Sequence, residues 1–264
     1  MIFRVTAEKL PVSDGLQGGY LPSGAPGPLL ANALTYINNQ VALLRAEVHQ
    51  DGLDASTTII LSAKHGQSPI DSSLLRRVND ATIISGLNSA WTAAHSGAGP
   101  LAIFSTDDDG MLLWLSDRSP AALDFAKEYL LGHSAPANLI TDPKGTDSAT
   151  VAASGLTAVY TGAAADQLVS TKPGDPHAPD LIGIAQHGVV YTGGVAKIAE
   201  HGGAAADDRD VALVVSGAGV SHNRVTSTAV QTTQIAPTIL SLLGLDPHDL
   251  QAVQVDHTDA LPVR

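Results

Sequence analysis

Two histidines carry the clearest chemical signal in this chain. His65 lies in Ser62-Ala63-Lys64-His65-Gly66, directly after the apolar run Thr57-Thr58-Ile59-Ile60-Leu61, and His201 lies in Glu200-His201-Gly202-Gly203. Near neutral pH an imidazole can ligate a metal through a neutral nitrogen, act as a general base, or contact an oxyanion. Glycine beside it lets the backbone approach a ligand closely. The run Thr57–Leu61 predicts a buried strand, and in open α/β sheets ligands gather at the carboxyl ends of strands, where His65 falls. The two histidines stand 136 positions apart, so a site holding both is built by the fold. For His65 the residues alone fit equally well a histidine that only bonds to its own loop.

Other polar groups near these runs have plainer readings. Glu200 fits a group that points away from His201, into a supporting contact or an ion pair. The segment Asp175-Pro176-His177-Ala178-Pro179-Asp180 offers a histidine and two carboxylates ahead of a strand, although Asp flanked by Pro commonly forms turns. Asp207-Asp208-Arg209-Asp210 reads as a solvated turn, with support of metal ligands or loop anchoring as the alternatives. His187, His222, His248 and His257 read as surface residues, and nothing singles out His95 or His133. Asp107-Asp108-Asp109 lacks the spaced ligands of a calcium loop. A phosphate-cradling Gly-Lys-Ser/Thr loop, a Gly-x-Ser-x-Gly elbow and a His-Glu-x-x-His pair are all missing from the sequence.

The elements needed to position these groups are legible in outline. Pro28 suits the first turn of a helix, whose apolar positions Leu30, Ala33, Leu34, Ile37, Val41, Leu44 and Val48 follow helical spacing until Gly52. Helix followed by strand argues for an α/β sheet. Pro69 ends the loop after His65, and Asp71 or Ser72 caps a short helix. Strands are expected at Leu101–Thr106 and Met111–Leu115, joined by a hairpin-like turn, and a helix from Pro120 buries Leu123, Phe125, Ala126 and Tyr129. A strand is expected at Leu181–Ala185, another over Val211–Val215, and a late helix follows the cap Thr232-Thr233-Gln234 and ends at Gly244. Residues 80–175, which carry both tryptophans, read as a smaller α+β insertion into a core formed by 1–79 and 176–264.

Composition bounds the function. The chain has 264 residues, 44% of them hydrophobic, enough for one sizeable α/β domain with an insertion. A formal net charge of −12 with only 14 basic residues argues against a nucleic-acid-binding or anionic-membrane surface. With no cysteine, thiolate metal sites, disulfides and cysteine nucleophiles are excluded. No run approaches the ~18 apolar residues of a membrane span. Met1-Ile2-Phe3-Arg4-Val5 is too short and mixed for a signal peptide and resembles a strand already under way.

Taken in order, these segments resemble the alkaline phosphatase superfamily in its type I phosphodiesterase/nucleotide pyrophosphatase branch. The resemblance rests on Gly19-Tyr20-Leu21, Ile59 to Asp71 with its His-Gly, Pro179-Asp180, Lys197 to Gly203 with Glu-His-Gly-Gly, Asp207-Asp208, Val211 to Gly217, and Gln231 to Leu240 with Thr-Gln-Ile-Ala-Pro-Thr. It implies an α/β fold with a mostly parallel sheet between helices, and a metal-dependent hydrolase of phosphate esters or phosphodiesters. In that family two zinc-type ions roughly 4 Å apart clamp the attacking and leaving oxygens. The resemblance implies metal binding by His65 and His201, with Lys64, Asp180 and Glu200 near the substrate or supporting the ligands. Relatives of full length are often secreted or periplasmic.

The departures are specific. Lys64 stands where the family carries a ligating Asp, and the Asp-x-x-x-His pair expected near Tyr20–Pro28 has no counterpart there. The family's nucleophile lies upstream of the motifs seen here. No catalytic residue is assigned: Ser62 reads as structural, and Ser68 is the other nearby hydroxyl. Two accounts follow, a C-terminal portion of a phosphodiesterase-like hydrolase lacking its nucleophile, or a degenerate member acting as a binding or structural module. A related sulfatase or phosphomutase is a third. Loss of a family strand predicts an exposed sheet edge and self-association through it.

Overall fold

The computed structural model describes residues 21, 23, 25–139, 148–221 and 224–263. In chain order the first elements are α1 (Pro28–Gln50), β1 (Thr58–Ser62), β2 (Arg76–Val78), α2 (Asp80–Ala94), β3 (Ala102–Asp107) and β4 (Gly110–Leu115). Then come α3 (Pro120–Gly132), β5 (Ala135–Asn138), β6 (Ser148–Val151), β7 (Leu156–Thr161), α4 (Ala163–Leu168) and β8 (Leu181–Ala185). The last are β9 (Val189–Tyr191), α5 (Ala206–Arg209), β10 (Leu213–Gly217), α6 (Ile235–Leu242) and α7 (Gln251–Asp256). The expected N-terminal strand, the Gly19-Tyr20 motif and His222 lie outside the described residues.

Two compact units divide the chain, one of Met1–Thr35 with His65–Asp210, the other of Tyr36–Lys64 with Val211–Arg264. The first contains two four-stranded sheets, ordered β6-β5-β2-β9 and β3-β4-β8-β7. Capped helices cover them. Asn79 accepts from the Ala81 N–H to start α2, and Ser119 accepts from the Ala122 N–H to start α3, whose first residue Pro120 needs no partner. Ile83, Leu87 and Trp91 are buried at i, i+4 and i+8 of α2, and Ala122, Ala126 and Leu130 at the same spacing of α3. These residues form one core with Val78, Leu101, Leu113, Leu115, Leu156 and Val189 from both sheets. Asn88 joins helix to sheet, donating to the Ala102 carbonyl at 3.0 Å and accepting from its N–H at 2.7 Å.

The fold is mixed α/β, as expected. Among the described strands, parallel pairing occurs once, between β2 and β9, and every other pairing is antiparallel. Chain connectivity explains this. Neighbours such as β3 and β4 are joined by the two-residue turn Asp108-Asp109, which only an antiparallel pair permits, whereas β2 and β9 are connected through most of the unit.

In the second unit β1 pairs antiparallel with β10, Ile60 opposite Val215. These strands are less enclosed than their apolar sequences suggest. Leu61 is 47% exposed and Val214 53%, because among the described residues this sheet has only two strands. Gly52 (φ +69°) and Gly244 (φ +73°) take the left-handed conformation that closes the helices before them. No described helix is long and apolar enough to cross a membrane.

The core assignment sets an expected contrast. Leu87→Ala should lose about 2–5 kcal/mol of stability, whereas Leu43→Ala, at a site 63% exposed, should lose little. Urea denaturation midpoints of the two variants measure this directly.

Candidate functional site

His65 and His201 meet. Their rings stack with centroids 4.2 Å apart and planes 27° from parallel. Main-chain bonding brings them together. Ser68 and Glu200 form an isolated antiparallel bridge, each N–H donating to the other's carbonyl at 2.9 Å. Gly66 N–H then donates to the Asp208 carbonyl at 2.7 Å. A side chain at position 66 would collide with the Asp207 carbonyl oxygen, so only glycine lets the two segments approach this closely.

The imidazoles are oriented. His65 Nδ1 lies 2.8 Å from the Gly66 carbonyl oxygen, which can only accept, so Nδ1 carries the proton and Nε2 presents its lone pair. His201 Nε2 lies 3.9 Å from Glu200 Oε1. Glu200, 3% exposed, is also ion-paired to Lys197.

The remaining expected residues are placed differently. Lys64 is exposed. Asp180 accepts from the Leu115 N–H at 2.7 Å and pairs with Arg118 Nε at 3.1 Å. That anchors the far end of β4, whose first residue, Gly110, borders the Gly202 carbonyl. Five residues of strand separate those ends, roughly 17 Å, so Asp180 is not brought together with His201. Ser68 is 3% exposed, which denies its hydroxyl the access a nucleophile needs.

Two carboxylates beside the histidines escaped the sequence reading. Asp109 and Asp208 are 2% and 4% exposed, and their carboxylates face each other and Ser68. Both border Gly203, where an added Cβ would lie 2.5 Å from Asp208 Oδ2 and 2.9 Å from Asp109 Cβ. Burial, reinforced by the charge of Asp208, pushes the Asp109 carboxyl up to about 8 against the weaker pull of Ser68, and burial raises Asp208 as well. Burial likewise lifts Asp107 to about 7, with Asp80 adding to it and Ser105 opposing. Asp207 behaves oppositely. Burial pushes it up, but the Ile70 N–H at 2.8 Å and His187 Nε2 at 2.8 Å outweigh that and hold it below the usual carboxylate range. The acidic run after His201 is thus a loop anchor with one buried carboxylate, not a solvated turn. The sequence signal was available: two acidic clusters flank Gly-rich segments that must pack closely.

A family model for type I phosphodiesterase/nucleotide pyrophosphatase matches residues 10–204, which include both histidines. The chain belongs to that family. The family is one of metal-dependent phosphodiesterases. Among solved structures, human ectonucleotide pyrophosphatase/phosphodiesterase 5 is similar, with a TM-score of 0.51 and 14% identity over 90% of this chain and 50% of that one. At that identity the likeness is one of fold, and the chain spans about half the length of that structure. Comparison with curated proteins gives no match.

Among the described residues, no group of three or more His, Asp or Glu is placed to hold a metal ion. The lone pairs of imidazole nitrogens lie in the ring planes, so two nearly parallel rings do not aim at one point, and joint ligation of an ion requires one ring to rotate.

Two measurements follow. Gly66→Ala should separate the bridged segments and cost about 1–3 kcal/mol, read as a lower thermal midpoint. For Asp107, facing Asp80 and Tyr191, and Asp109, facing Asp208 and Asp108, the folded state keeps a proton that the unfolded chain releases near pH 4. Stability from these groups is therefore full below about pH 4 and falls as pH rises to about 7 and 8. The double variant Asp107→Asn/Asp109→Asn should narrow the gap in thermal midpoint between pH 5 and pH 8.5, by on the order of 5 °C.

Proposed function

We propose that this chain carries part of the centre of a phosphate-ester or phosphodiester hydrolase, with His65 as a ligand toward one divalent ion and His201 toward the other, zinc in the first instance. The observation behind the reading is the face-to-face approach of two imidazoles from loops 136 positions apart. A bond from Nδ1 to a carbonyl leaves His65 Nε2 as the ligating atom, as in many imidazole metal sites. Glu200 supports His201 from behind. A small phosphate ester is the substrate class, and residues 80–175 act as an insertion that tunes specificity on the core of 1–79 and 176–264. Lys64, exposed beside His65 in sequence, is suited to meeting a substrate phosphate as a point charge.

A second reading has its own support. Lysine in place of a ligating aspartate, and the lack of a third described ligand, favour a member that has kept the frame without the hydrolysis. The β1–β10 sheet, two-stranded among the described residues, supports self-association through its edge in either case.

Elemental analysis of the purified chain, beside the His65→Ala/His201→Ala variant, separates the readings. Stoichiometric divalent metal that disappears in the variant is the expected result and directs assays to bis(p-nitrophenyl) phosphate. Equal metal content in the two proteins, or none in either, would overturn the metal assignment.

A further inference from the structure

A groove of about 360 Å³ opens from His201 along the outer face of the β3-β4-β8-β7 sheet. Strand register determines its floor. Leu112 is opposite Ile182 and Gly110 opposite Ile184, so Leu112, Ile182 and Ile184 share one face while Met111 and Leu113 enter the core on the other. Leu168 and Val169, at the end of α4, overhang this floor and are 50% and 41% exposed. At the histidine end the wall is Gly202, Gly203 and Gly110, backbone without bulk.

The chemistry of this lining is selective. Among the described residues its lining holds, beyond His201, no aromatic ring on which a nucleobase could stack, a contact worth about 1–3 kcal/mol per base. Among the described residues it holds no Asn or Gln to read a base edge, and no Lys or Arg to receive a second phosphate. What it offers instead is aliphatic surface, with the exposed Asp108 on its border. An additional phosphate there would meet like charge, whereas a neutral or cationic alkyl group would not.

We propose that this groove holds the alcohol portion of a phosphate ester and selects an aliphatic alcohol over a nucleoside or a polyphosphate. The assignment rests on the phosphate-ester reading above. Leu168 and Val169 are its specificity residues, closing the groove over the alkyl chain. Each buried methylene then adds affinity that a ribose or a base cannot match on the same surface.

The test is calorimetric titration of the full chain, with divalent zinc present, using hexyl phosphate and adenosine 5′-monophosphate as probes of equal charge. Hexyl phosphate should bind at least about tenfold more tightly, a difference of about 1.4 kcal/mol. Leu168→Ser/Val169→Ser, at exposed positions that leave the core intact, should weaken hexyl phosphate about tenfold and leave the nucleotide unchanged. The inference is overturned if the nucleotide binds as well or better, if the double serine variant binds hexyl phosphate normally, or if neither probe binds. Metal content, measured separately on the same sample, distinguishes these failures from failure of the underlying reading. A protein that keeps its zinc yet ignores hexyl phosphate loses only the groove assignment.

Discussion

Backbone hydrogen bonding between two short loops is the constraint on which the candidate site depends. The Ser68–Glu200 bridge and the Gly66–Asp208 bond tie together segments that enter from distant parts of the chain. Because the donors and acceptors are peptide groups, each is satisfied while partly or fully enclosed, which is the condition for burying loop backbone at all. The rest follows from that closeness. His65 and His201 are brought into ring contact, Glu200 is drawn under His201, and Asp109 and Asp208 are enclosed beside Gly203. The electrostatic cost falls on the carboxylates, whose burial favours their neutral forms.

Around this junction the sheets act as a rigid mount. The β3–β4 hairpin delivers Asp108 and Asp109 at its tip, and the Asp109 N–H reaches toward the His201 carbonyl. At the other end of β4, Asp180 and Arg118 fix the strand. One strand thus couples an anchoring ion pair at one end to the histidine loop at the other, while its apolar alternation fills the core on one face and floors the groove on the other.

Much of this was readable in the sequence where local chemistry sets local structure. Pro28 and Gly52 bound α1, Ser119-Pro120 begins α3, and Leu181–Ala185 forms β8 as the apolar run indicated. The histidine loops announced themselves through their glycines. What stayed hidden depends on partners. β5 (Ala-Pro-Ala-Asn) and β6 (Ser-Ala-Thr-Val) have little alternation of their own and exist because they pair with each other and with β2. β1 and β10 look fully buried by composition, yet their burial is decided by what covers them. Asp109 and Asp208 read as ordinary turn residues for a related reason: acidic residues in turns usually face water, and only the close approach at Gly203 encloses them.

The main-chain character of the junction bears on how such a centre can change over evolutionary time. Peptide groups hold the loops in place, so the frame makes few demands on which side chains occupy positions 64, 65 and 201. Side chains at those positions can change while the scaffold persists, because the fold need not be rebuilt when they do.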